Sequence, residues 1–67
     1  MDVRRRVGLN VKRLREAQGI SQEDLADRAG VHRTYVSGVE RGVRNPTITV
    51  LEKLAGALST GLPELVA

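Results

Sequence analysis

Arg33, Thr34, Ser37 and Arg41 follow one another closely in the sequence, and the chemistry open to that set is recognition of nucleic acid. An arginine fork binds two acceptors on a guanine edge, and Thr or Ser reaches base edges or the thymine methyl. At about 100° of turn per helical residue, Arg33, Thr34, Ser37, Gly38 and Arg41 share one side, and His32, Tyr35, Val36 and Val39 share the other. The first side is short-chained, polar and free of acids, whereas an ordinary solvated face mixes both charge signs. It can enter a major groove while the apolar side docks on a core. Catalysis has no comparable constellation: the chain holds one His and no Cys, and no Ser/His/acid or metal-ligand spacing survives helical placement. No catalytic residue, metal site or cofactor is expected.

Such a face needs a partner helix and a tight turn to hold it. Ser21 is a good N-cap, with Asp24 three residues on to answer the open N–H groups. Leu25, Ala26 and Ala29 then lie on one face, and Gly30 ends this first helix of the pair. The second runs from about Arg33 to Arg41 and is closed by Gly42, so residues 21–42 form a helix-turn-helix. Gln22 stands in the first turn of the leading helix, where N–H groups and its side-chain amide can together meet a phosphate.

Three further elements complete the chain. Residues from about Val3 to Gln18 read as a helix with Val7, Val11 and Leu14 on its apolar face, stopped by Gly19. Pro46 and Thr47 set up another, with Ile48, Leu51, Leu54, Ala55 and Leu58 as its stripe. The end LPELVA adds one more helical turn, in which Leu62 and Leu65 close the core.

With 67 residues there is room for one domain, 1–67, and without cysteine its core rests on packed Leu, Val, Ile and Ala. The net charge of +3 is modest, but its distribution is uneven. Bases gather at Arg4, Arg5, Arg6, Lys12, Arg13 and Arg15 and again at Arg33, Arg41 and Arg44, and acids at Glu23, Asp24 and Asp27. One positive side is the footprint of phosphate binding. The arginine triplet reads either as a solvated helix end or as a first turn that touches phosphate. No apolar run approaches the roughly 20 residues of a membrane span, and no signal-peptide core follows the N-terminus. A cytoplasmic protein is expected.

The stretch QEDLADRAGVHRTYVSGVERG resembles the DNA-binding domain of the phage repressor and Cro (Xre-like) family. Its extension HRTYVSGVERGVRNP is similar to the controller proteins of restriction-modification systems. The resemblance runs from about Val7 to Val66 and implies an all-α, compact five-helix, lambda-repressor-like domain. It places Arg33, Thr34 and Gly38 at base-reading positions, with Ser37 between them. Glycine has no side chain to read with, so at Gly38 the helix would instead approach a base or methyl group closely. His32 stands where the family often has a Ser or Thr cap, and acts as cap substitute or phosphate donor. The resemblance also assigns phosphate contacts to Gln22 and to the loop from Val43 to Pro46, through Arg44 and Asn45; Arg41 and the Tyr35 hydroxyl join them. It pairs Arg15 with Glu40 in an internal, structural ion pair.

Val50, Ala57, Pro63 and Val66 remain as apolar residues without an obvious internal role, which makes them candidates for a homodimer interface. Two-fold dimers of this kind place recognition helices about 34–36 Å apart on a palindromic operator. The expected function is therefore a sequence-specific, double-stranded-DNA-binding transcriptional regulator that needs no small-molecule ligand and is controlled by its own concentration. The alternative is an antitoxin-like adaptor that keeps the fold and binds a protein; salt dependence of DNA retention separates the two.

Overall fold

The first helix starts where Asp2 caps it. Its Oδ1 accepts from Arg4 N at 2.7 Å, and α1 then runs Val3–Ala17. This is a computed structural model that describes residues 2–67; Met1, the first residue of the expected domain, lies outside them. Four helices follow, α2 (Gln22–Ala29), α3 (Arg33–Glu40), α4 (Ile48–Ala57) and α5 (Leu62–Val66), with no strand among the described residues.

The helices meet through one apolar cluster. Val7 and Val11 of α1, Leu25, Ala26 and Ala29 of α2, and Val36 and Val39 of α3 join Leu51, Leu54 and Ala55 of α4, with Leu58 and Leu65. α1 packs on α3 and α5, α2 on α3 and α4, and α4 on α5. Each fully buried Leu stabilises such a core by about 1.5–3 kcal/mol, and Leu25, Leu54, Leu58 and Leu65 are all fully buried.

Two side chains tie the far end of the chain to α1. Asn10 Nδ2 donates to the carbonyls of Leu65 and Ala67 at 3.0 and 3.1 Å, and Gln18 Nε2 donates to Leu58 O at 2.7 Å. Helix ends leave carbonyls without intrahelical partners, and these amides satisfy them.

The apolar stripe expected of α4 is corrected at its start. Ile48 is 65% exposed and Thr49 is exposed beside it, so the helix turns inward only from Val50, which is partly buried against the core, and Leu51, which is buried.

Candidate nucleic-acid interface

Local chemistry builds the helix pair. Ser21 Oγ accepts from Asp24 N at 3.0 Å while Asp24 Oδ2 accepts from Ser21 N at 3.3 Å, a reciprocal cap at the start of α2. Gly30 ends α2 at φ 71°, a left-handed conformation that costs a glycine little. Val31 N then donates to Ala26 O at 3.0 Å, and α3 begins two residues later.

α3 divides its residues by face. Val36 and Val39 are fully buried and Glu40 is buried, while Arg33, Thr34 and Arg41 are exposed and Ser37 is half-buried. Arg44 and Asn45, on the loop that follows, are also exposed. The single acid of α3 therefore points away from the exposed face.

Glu40 is held by two helices at once. Arg15 Nε donates to Glu40 Oε2 at 2.7 Å and Nη2 to Oε1 at 3.1 Å, with the two side chains only 11% and 3% exposed. Such two-pronged, charge-assisted contacts are the strong kind. The Glu40 bond raises the Arg15 guanidinium above its usual range, against the opposing effect of burial. Arg15 Nη1 also donates to Ile20 O at 2.9 Å, fixing the link between α1 and α2.

Gln22 joins this network, and its position refines the sequence reading. Its Nε2 donates to Glu40 Oε1 at 3.0 Å, so the amide is anchored to α3 instead of standing free at the helix start. One N–H and the carbonyl oxygen of the amide are left for an external partner.

Gly38 requires a correction. It is buried, not presented on the reading face. A Cβ built there would overlap Arg44 Cγ, with Arg44 Cβ and Cδ at 3.5 Å. The loop folds its own arginine back over the helix at this point, so the stem of Arg44 covers Gly38. The Arg44 Cζ lies 5.7 Å from the centre of the Tyr35 ring, a cation–π distance.

His32 is corrected as a cap. It occupies the N-cap position of α3 but makes no side-chain capping bond, and it is exposed beside a cleft lined by Gly30, Val31, Tyr35 and Val50. An imidazole ring is longer than a Ser or Thr hydroxyl, and here it extends outward.

The four residues left over in the sequence divide evenly. Val50 and Ala57 are partly buried and pack against the core, so both have an internal role after all. Pro63 is exposed in the first turn of α5, and Val66 is 41% exposed.

One position escaped the sequence reading. Gly8 is buried where α1 crosses the end of α3, and a Cβ there would clash with Val39 O and lie 2.8 Å from Glu40 O. A glycine in mid-helix is the signal that could have found it, since it sacrifices helix propensity. Arg5, one of the arginine triplet, comes close to the same end of α3: its Cα would lie 3.2 Å from a Cβ at Gly42. The exposed Arg5 thus stands beside the end of α3, while Arg4 is engaged by Asp2 at 3.0 Å.

No helix of the described residues is long and apolar enough to cross a membrane. Among the described residues no group of three or more His, Cys, Asp or Glu is placed to hold a metal ion.

Known proteins share this arrangement. Residues 11–65 match the helix-turn-helix family. The chain is 47% identical over 66 residues to an uncharacterized HTH-type transcriptional regulator, y4dJ, of Sinorhizobium fredii, covering 98% of this chain and 86% of that one. It is 44% identical over 66 residues to the control protein C.SmaI of Serratia marcescens, with 98% and 79% covered. The crystal structure of the restriction-modification controller protein C.AhdI from Aeromonas hydrophila superposes with a TM-score of 0.90 at 45% identity, over 92% of this chain and 94% of that chain. Agreement of sequence and backbone over nearly the whole length leaves one assignment: the chain belongs to the helix-turn-helix family, in its Xre-like branch.

Proposed function

We propose that the chain is a sequence-specific, double-stranded-DNA-binding transcriptional regulator that acts as one domain. One observation carries this reading: α3 and its C-cap expose Arg33, Thr34 and Arg41, with Arg44 beside them, while the only acid of α3 is buried against Arg15. A cationic strip with no exposed acid on the same short helix suits a polyanion with a groove of helix width.

Arg33, Thr34 and Ser37 read base edges. Arg41, Arg44, Asn45 and His32 set the register on phosphates, with the free N–H of Gln22 and the Tyr35 hydroxyl. A homodimer binds a palindromic operator, and exposed Pro63 and Val66 on α5 belong to its interface. The regulator works in the cytoplasm, where bacterial operators are found. The relatives support the same direction, since the names of two of them describe a transcriptional regulator and a control protein.

Selection of bound duplexes from a random-sequence pool tests this directly. The expected product is a palindromic consensus with half-sites about one helical turn apart. Retention of that duplex should fall steeply as salt rises, because each neutralised phosphate releases counterions. Unselective recovery together with salt-independent retention would replace the regulator by a protein-binding adaptor.

A further inference from the structure

Gly38 has no backbone reason to be glycine. Its φ is not among the positive ones, and it sits inside α3, where glycine lowers helix propensity relative to alanine. The three atoms nearest to a Cβ built there all belong to Arg44. What glycine provides is therefore space, and the aliphatic stem of Arg44 fills it.

Two further contacts converge on the same place. The N–H groups of Val43 and Arg44 both donate to Gly38 O, at 3.0 and 3.1 Å, which pins the start of the loop to this residue. Tyr35 lies three residues earlier, on the neighbouring turn of the same helix strip, and its ring carries the guanidinium at 5.7 Å. Stem, backbone and charged head of Arg44 are each held by α3, yet the residue remains exposed.

The geometry points to Gly38 and Tyr35 as positioning residues that seat Arg44 on the recognition helix, so that the loop's cation meets DNA from a fixed place. This rests on the DNA-binding reading above and deepens it. An arginine already confined to one conformation loses less freedom when it binds, which strengthens the contact without adding a new one. A methyl group at position 38 occupies the seat and expels the side chain.

The test is a double-mutant cycle of Gly38→Ala with Arg44→Ala, read as affinity for the duplex that the wild-type chain selects. Gly38→Ala should weaken binding about five- to tenfold when Arg44 is present, in the range of a lost charged contact. In the Arg44→Ala background it should change affinity by less than about twofold, the scatter expected of independent sites. A merely structural role for Gly38 predicts equal losses in both backgrounds, and that result, or no loss at all, overturns the seat. Should circular dichroism show Gly38→Ala unfolded, Tyr35→Leu compared with Tyr35→Phe decides in the same cycle. Both lack the hydroxyl and only Leu lacks the ring face, so the extra loss with Leu should vanish without Arg44. An extra loss that persists, or no extra loss, overturns the seat too. Failure of the wild-type chain to bind any duplex removes the DNA reading and the seat with it, whereas wild-type binding with additive losses removes the seat alone.

Discussion

Arg15 and Arg33 line the same depression, together with Ser21, Gln22 and Glu23, yet the fold treats them in opposite ways. Arg15 turns inward, with Nε and Nη2 of its guanidinium both donating to Glu40. Arg33 is exposed and, among the described residues, has no ion-pair partner. The same residue type thus serves architecture on one edge of α3 and stays available on the other. The difference lies in where the single acid of α3 falls: buried at position 40, it neutralises the inner arginine and leaves the outer side of α3 without an acid of its own.

The largest effect is expected on the inner edge. Arg15→Ala leaves a carboxylate buried without its cation, which typically costs about 3–5 kcal/mol. A small domain has only about 5–15 kcal/mol in all, so urea unfolding should show a protein near its limit. A loss below about 1 kcal/mol would place the pair with ordinary surface bridges and erase the contrast. Gly8→Ala comes next, at about 1–3 kcal/mol, typical of overpacking. The atoms in its way are backbone carbonyl groups of Val39 and Glu40, which have no rotamer to yield. Thermal unfolding checks this, and unchanged stability would mean that α1 and α3 can separate at their crossing.

The outer edge should respond in binding alone. Arg33→Ala is expected to change stability by no more than about 0.5 kcal/mol. It should cost about 1–3 kcal/mol of affinity and relax specificity at one base pair, whereas Arg44→Ala should weaken all sequences alike. Titrations across a set of operator variants separate these outcomes, and an equal loss on every variant for Arg33→Ala would reassign it from bases to phosphate.

The smallest effect belongs to the exposed counterpart of the inner pair. The Arg4 guanidinium, which donates to the Asp2 side chain, lowers its carboxyl from 3.8 to about 2, with the Arg4 backbone N–H adding to the effect. A carboxyl depressed in the folded state contributes stability that is fully present above its unfolded value and is lost as pH falls through about 2. Carbon-detected titration of Asp2 should therefore show a midpoint near 2 that rises in Arg4→Ala, accompanied by slight fraying of the first turn of α1. A midpoint at the ordinary value would mean that this solvent-facing pair does not persist.

Much of this was legible in the residues themselves, because the signals act over short distances. The Ser21–Asp24 cap, the left-handed Gly30 and Gly42, and the alternation of Val36 and Val39 with Arg33, Thr34 and Ser37 all depend on neighbours within about one turn. Arg15 and Glu40 are 25 positions apart, and only the family resemblance suggested their pairing. No spacing rule reaches that far.

Where chain segments return upon one another, the sequence stopped short. Gly38 reads as part of a groove-facing strip until the loop is seen to lay Arg44 across it. Val50 and Ala57 read as surplus until they are seen packed against the core, and Ile48 reads as core until it is seen exposed. The sequence alone determined the helices, the reciprocal cap of α2 and the acid-free character of the recognition strip, since those follow from backbone geometry and residue type. Tertiary structure decided which of these side chains are buried, paired or seated, because burial is a property of what packs on top, and that comes from elsewhere in the chain.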